Sequence, residues 1–230
     1  MIKINKKQIF SFLILIIFCN FNYALRSDAI KAAYQCAIGE PENLAIAKAQ
    51  VKEYYQSGKY IRDVACIAEQ IKKYINSIHL LPPKAAVIFD IDDTVICSFD
   101  YSETNDFEYN EPGFREWEKS PKKAIPPMLD LYNFIRNKGI KIFFITGRRE
   151  TRLQVTKNNL RSAGFSTWEG LYLKPENSAK SNISFKSTIR QTLEEQGYVI
   201  IANIGDQESD LKGGYAQKTF KIPNPIYTLP

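Results

Sequence analysis

Three unbroken apolar runs, each leading straight into a polar cluster, constrain this chain most. Residues 85–89 run into Asp90-Ile91-Asp92-Asp93-Thr94, residues 142–145 into Thr146-Gly147-Arg148, and residues 198–202 into Asn203-Ile204-Gly205-Asp206. A short apolar run without alternation suits a strand covered on both faces. Between the runs, apolar residues recur at helical spacing, as in Met128, Leu131, Tyr132 and Ile135 ahead of Gly139. The same reasoning predicts helices over about 150–163 and 185–195 and a short strand at Leu171-Tyr172-Leu173. Strands alternating with helices imply an α/β fold: a Rossmann-like parallel sheet with helices on both faces. Right-handed crossovers then bring every strand's carboxyl end, and with it every polar cluster, to the edge where ligands bind.

Upstream, two helical stripes are legible. One carries Leu44, Ala47, Val51, Tyr54 and Tyr55, and the other Ile61, Val64, Ala68, Ile71, Ile75 and Ile78, ending at Pro82-Pro83. Residues 25–80 read as a helical extension packed on an α/β core of residues 85–230, the whole of 25–230 forming a single domain. The first 24 residues differ: Lys3, Lys6 and Lys7 lead into an apolar run over 9–18 and then to Ala24. This is the layout of a signal peptide cleaved after Ala24, and a run about half the length of a membrane span argues against a permanent anchor. The expected location is therefore exported, secreted or periplasmic, with Cys19 an alternative site for a lipid anchor.

Removing that segment takes away three lysines and no acid, so the formal +6 of the 230-residue chain falls to about +3. The remaining basic residues are interleaved with acids, as at Glu69, Lys72 and Lys73, and no nucleic-acid partner is expected. Of the cysteines left, Cys36 and Cys66 are the candidate bridge, and Cys97 reads as a small packing residue. A single histidine, His79, rules out multi-histidine metal sites, and no Arg-His-Gly context surrounds it. The Gly-x-Ser-x-Gly elbow, the Walker loop and the dinucleotide glycine fingerprint are absent as well.

The polar clusters carry the chemistry. Asp90, Asp92 and Asp93 crowd three like charges at the functional edge, which calls for a hard divalent cation or shared protons, though a loop of solvated acids would also explain them. Thr146, Gly147 and Arg148 place a hydroxyl, an unhindered backbone and a guanidinium where an oxyanion could sit. Asp206 is a further metal ligand, and Asp210 could orient it or hold a water. Lys186, read as opening a helix, could reach phosphate and Asp90.

In this order the four pieces resemble the four motifs of the haloacid-dehalogenase-like (HAD) phosphatases. Lys141 to Arg148, Asn158-Asn159-Leu160, Phe185-Lys186-Ser187, Gly205 to Leu211 and Phe220 to Pro225 narrow the resemblance. They point to the branch holding class B and class C acid phosphatases and plant vegetative storage proteins, subfamily IIIB. The resemblance implies Asp90 as nucleophile, forming an aspartyl-phosphate, and Asp92 as general acid then base. It implies Thr146 and Lys186 on the transferring phosphoryl group, with Thr94, Gly147 and Arg148 as phosphate or substrate contacts. Mg²⁺ would be held by Asp90, Asp206, Asp210 and the Asp92 backbone carbonyl.

The expected function is hydrolysis of small phosphomonoesters by an acid phosphatase, with a homodimer compatible with the reading. The insertion between the first two motifs leaves room for a small cap built from loops. Its Phe99, Tyr101, Phe107, Tyr109, Phe114 and Trp117 are expected mostly to pack the insertion, one or two being available to stack on a leaving group. The alternatives are a storage or binding protein of the same fold, a phosphotransferase, and a true dehalogenase, which would not need Asp206 and Asp210.

Overall fold

The computed structural model describes residues 41–229, so the expected signal segment, Cys19 and Cys36 lie outside the described residues. From Leu44 onward the chain packs as one unit. Helices α1 (Leu44–Gln56) and α2 (Lys59–Ser77) precede β1 (Ala85–Phe89). Two short helices follow, α3 (Phe99–Thr104) and α4 (Glu111–Lys119), and then α5 (Pro126–Asn137) and β2 (Lys141–Arg149). A 3-10 turn at Glu150–Arg152 leads into α6 (Leu153–Ser162), β3 (Gly170–Lys174), α7 (Asn182–Glu195), β4 (Val199–Gly205), α8 (Glu208–Leu211) and β5 (Thr219–Lys221).

The five strands form one sheet in the order β3-β2-β1-β4-β5, and every pairing is parallel. Alternate residues of the central strands sort into two cores, because successive side chains leave a strand on opposite faces. Val87, Phe89, Ile142 and Phe144 join Val64, Ile71 and Ile75 of α2 and Met128, Leu131 and Ile135 of α5 on one face. Ala86, Ile88, Phe143 and Ile145 meet Phe185 and Leu193 of α7 on the other. Both faces of β1 are therefore covered, and all five of its residues are buried, which is why its sequence shows no alternation. The upstream region contributes more than an appendage, since α2 supplies five buried residues and lies against α5.

Where loops were expected over the sheet edge, the insertion is helical. Asn110 caps α4 by accepting a hydrogen bond from Gly113 N at 3.0 Å, and Pro112 sits in the first turn with its φ already set. Tyr101 of α3 packs edge-on against Phe114 of α4, with centroids 5.2 Å apart, and Phe114 in turn meets Trp117 at 5.0 Å. The aromatic stretch is thus a small interior for the insertion. Its two stems are pinned at the base, where Ile125 N donates to Val95 O at 2.9 Å. Elsewhere β4 runs on to Gly205 and α7 begins at Asn182, so Lys186 lies in the second turn of its helix. Ser181 caps that helix by accepting from Ser184 N at 3.1 Å. Cys66 is exposed and Cys97 is packed against the larger core, where burial raises its thiol to about 12.

If α2 is integral to the core, Ile71→Ala should lower the unfolding free energy by about 2–5 kcal/mol, as large-to-small changes at fully buried sites do. Ile71 has no exposed surface. Urea denaturation measures this, and a loss near zero would show that α2 only decorates the domain.

Candidate active site

Strand register assembles the site. Phe89 at the end of β1 pairs with Phe144 of β2 on one side and Ile204 of β4 on the other. The next residues along each strand, Asp90, then Ile145-Thr146, then Gly205-Asp206, therefore emerge side by side at the carboxyl edge. Chain order reverses across β1, with β2 on one side and β4 on the other, and this is the point where ligands bind in open α/β sheets. Helix α7 covers one face and lifts Lys186 into the same place.

Lys186 Nζ donates to Asp90 Oδ1 at 2.5 Å and to Asp210 Oδ1 at 2.6 Å, and all three side chains are buried. Asp90, Asp206 and Asp210 each offer a carboxylate oxygen within 4.8 Å of the others. Burial pushes the Asp90 carboxyl well above its ordinary range although Lys186 pulls it back. Burial and then the Asp210 charge raise Asp206 to about 6. Burial also opposes the charge on Lys186, but Asp90 and Asp210 outweigh it and hold its pKa above the usual lysine value. With all three ionised, the carboxylates facing one ammonium leave two negative charges in excess, and burial together with this excess favours the protonated forms of Asp90 and Asp206 until a cation is present. Hard oxygen donors with that excess fit a divalent cation.

Asp206 is held by two residues that sequence reasoning did not assign to the site, Gln207 and Asn224, and by one that it assigned another role, Thr94. Gln207 Nε2 and Asn224 Nδ2 donate to its Oδ2 at 2.6 and 2.7 Å, and Thr94 Oγ1 donates to its Oδ1 at 3.0 Å. Thr94 had been expected on the substrate phosphate. It is fully buried and off the cavity wall, its hydroxyl committed to Asp206, so it orients a metal-ligand candidate instead. Asp210 is fixed by its own helix turn, Oδ2 accepting from Gln207 N at 2.8 Å. Gly205 makes room for it, because a Cβ there would sit 2.3 Å from the Asp210 Cβ. Gly147 is different: a Cβ would meet only Asn182 at an ordinary 3.5 Å, so nothing in the protein itself demands glycine.

Asp93 does not join the cluster. It sits at φ 56°, a left-handed conformation that costs a non-glycine residue energy. Ser98 N and Oγ and Tyr227 OH all donate to its buried carboxylate, at 2.8, 2.5 and 2.8 Å. The turn that directs Asp90 and Asp92 into the cavity is thus held from inside.

Asp92 faces Arg148. The guanidinium donates from Nε to Asp92 Oδ2 at 2.7 Å and from Nη2 to Oδ1 at 2.6 Å, a two-pronged pair. Its Nη1 donates to Thr156 Oγ1 at 3.2 Å and Asn159 Oδ1 at 2.9 Å. One N–H on Nη2 remains uncommitted, so the expected phosphate contact of Arg148 has at most that donor to use. Thr146 is buried at the edge and accepts from Arg148 N at 3.2 Å, which leaves its hydroxyl hydrogen free to donate. Asp90, Asp92, Thr146, Gly147, Arg148, Lys186, Asp206 and Asp210 share a cavity of about 510 Å³. Tyr101, Phe107, Tyr109 and Phe114 of the insertion form its upper wall, so several of the aromatics both pack the insertion and face the cavity.

Fold and site together define an α/β protein with an acid-lined pocket at the carboxyl edge of its sheet, whose clustered carboxylates could hold a divalent cation. A family model described as HAD superfamily, subfamily IIIB (acid phosphatase) matches residues 27–230. The chain belongs to this family and is a phosphoric monoester hydrolase. A stem 31 kDa glycoprotein of Glycine max is 36% identical over 221 residues, covering 90% of this chain and 87% of its own length. Acid phosphatase 1 of Solanum lycopersicum is 33% identical over 186 residues, covering 78% and 73%. The fold is also that of the class C acid phosphatase from Bacillus anthracis crystallised with tungstate, at TM-score 0.66 and 21% identity over 80% of this chain and 85% of that one.

Removing an outer support of Asp206 should weaken a bound cation without unfolding the protein. Asn224→Ala is expected to reduce divalent-cation affinity by about 10–100-fold, the usual effect of losing such a partner. Calorimetric titration of the metal-free variant measures it, and an unchanged affinity would place the cation away from Asp206.

Proposed function

We propose that the chain is an exported, magnesium-dependent acid phosphatase that hydrolyses small phosphomonoesters through a covalent intermediate on Asp90. The observation that carries this is the position of Asp90: on the cavity floor, one oxygen on Lys186 and the acid cluster beside it. The other carboxylate oxygen has no hydrogen-bond donor among the described residues and is the one free to attack.

In the first half-reaction that oxygen attacks phosphorus, the Asp90 O–P bond forms and the bond to the leaving oxygen breaks. Asp92 gives the departing oxygen a proton. In the second, Asp92 takes a proton from water as the water attacks the acyl phosphate, freeing phosphate and restoring Asp90. Thr146 and Lys186 donate to the phosphoryl oxygens, whose charge the buried site could not otherwise tolerate. Asp90, Asp206 and Asp210 would hold Mg²⁺, which when bound would supply the positive charge that lets an anionic nucleophile meet an anionic substrate. The N-terminal basic and apolar layout supports export. Among the described residues no helix is long and apolar enough to cross a membrane.

Phosphate release from 4-nitrophenyl phosphate by the exported chain should require Mg²⁺, stop with chelator, and fall by roughly three orders of magnitude or more in Asp90→Asn. Release that survives Asp90→Asn would remove Asp90 from the reaction. Folded, Mg²⁺-loaded protein inert on several phosphomonoesters would favour a storage role. The same preparation checks export: mass spectrometry of protein recovered outside the producing cell should find Leu25 as its first residue.

A further inference from the structure

Glu118 belongs to the insertion, in the last turn of α4, and its side chain has no exposed surface. Its neighbours are two cations: Oε1 lies 3.2 Å from Arg148 Nε, and Oε2 contacts Arg152 Nη2. The single hydrogen of Arg148 Nε is already donated to Asp92 Oδ2, so Glu118 and Arg148 attract by charge alone. A carboxylate buried between two arginines is a costly way to stabilise a fold, because an apolar side chain of similar size would fill the space without the desolvation penalty. Packing does not account for it.

The geometry around Arg148 does. Asp92 and Glu118 flank the same guanidinium, one from the catalytic turn and one from the insertion. Arg152 sits on the far side of Glu118 and lines the cavity. The insertion and α6 are tied into the same arrangement, since Asn159 Nδ2 donates to the Glu118 carbonyl oxygen at 2.7 Å while its Oδ1 accepts from Arg148. Without the Glu118 charge, the buried guanidinium of Arg148 and the half-buried one of Arg152 would compete for Asp92 and repel each other, and the two-pronged grip of Arg148 would loosen.

We propose that Glu118 is a positioning residue for the proton-transferring carboxylate: it neutralises Arg152 and braces Arg148, keeping Asp92 aimed at the leaving oxygen. The proposal rests on the reading of Asp92 as the general acid. Its signature is selectivity by leaving group. When phosphorus passes to Asp90, an alkyl leaving group needs the Asp92 proton on its oxygen, whereas 4-nitrophenolate departs without it. Loss of aim therefore penalises alkyl phosphates, and general loss of structure penalises both alike.

The test compares kcat/KM, which reports the first transfer step, on ethyl phosphate and 4-nitrophenyl phosphate. Glu118→Gln is expected to lower the alkyl value by about 10–100-fold more than the aryl value, within the range general acid catalysis supplies. Because Glu118→Gln leaves two arginines facing one carboxylate and could impair folding, the double variant Glu118→Gln/Arg152→Gln removes one charge of each sign. It should fold and show a selective loss smaller than that of Glu118→Gln, because Arg152 no longer competes for Asp92 while Arg148 still lacks its brace; loss of Arg152 from the cavity wall would act on both substrates alike. Asp92→Asn provides the reference. Selective loss in Asp92→Asn, with equal losses in the folded Glu118 variants, would overturn the role of Glu118 alone. Equal losses in Asp92→Asn itself would remove the acid assignment and the role of Glu118 with it.

Discussion

The acid cluster at the carboxyl edge of this sheet depends on one buried ammonium. Lys186 stands between Asp90 and Asp210, and without it the carboxylates brought together by β1 and β4 would face each other unscreened. A lysine can occupy that position because α7 lies flat against the sheet through Phe185 and Leu193 and starts at a side-chain cap, which sets where its second turn reaches the edge. One positive charge against three negatives is a deliberate shortfall. It makes the site stable enough to fold yet still short of positive charge, and a divalent cation and a phosphoryl group can exploit that together.

The second charged group is balanced differently. Around Arg148, the two acids Asp92 and Glu118 meet the two cations Arg148 and Arg152, so the cluster needs no ligand to be neutral when Asp92 is ionised. The contrast divides labour in the pocket: the Lys186 side is left to be completed from outside, and the Arg148 side is finished by the fold. For the proton transfer proposed at Asp92, this pairing holds the carboxylate in place whether or not substrate is present.

Much of this was legible in the sequence, and the parts that were not share a cause. The strands β1, β2 and β4 announce themselves because burial on both faces forces unbroken apolar runs, and the motif residues follow each run directly. β5 has three residues with only Phe220 buried, too little pattern to distinguish from a loop. The insertion was read as loops because proline and aromatic residues mask the helical period, although Asn110 followed by Pro112 is a helix-start signal that could have been used. Glu118 lies in Glu-Trp-Glu-Lys, which reads as a solvated helix face. Its burial comes from α4 docking beside Arg148, a long-range contact with no local trace. Arg148 was recognised as a site residue, but its partner could not be, since the choice between a phosphate and Asp92 is settled by distance across the cavity.

The same limit explains the segment after β5. Phe220-Lys221-Ile222-Pro223-Asn224-Pro225 was noticed as a pattern without a physical role. In the fold, β5 pairs parallel with β4 and delivers the chain at the carboxyl edge, level with Gly205. Lys221 Nζ donates to the Asp206 carbonyl oxygen at 2.6 Å, Asn224 reaches the Asp206 carboxylate, and Tyr227 reaches Asp93. Asn224 also bends the tail back over the pocket, its Oδ1 accepting from Ile226 N at 2.9 Å. The tail is thus the outer support of two motif acids at once. Its position requires a parallel β5, because an antiparallel strand in that place would deliver the following residues to the opposite edge of the sheet. The short edge strand therefore matters less for the few hydrogen bonds it adds than for the direction in which it releases the chain.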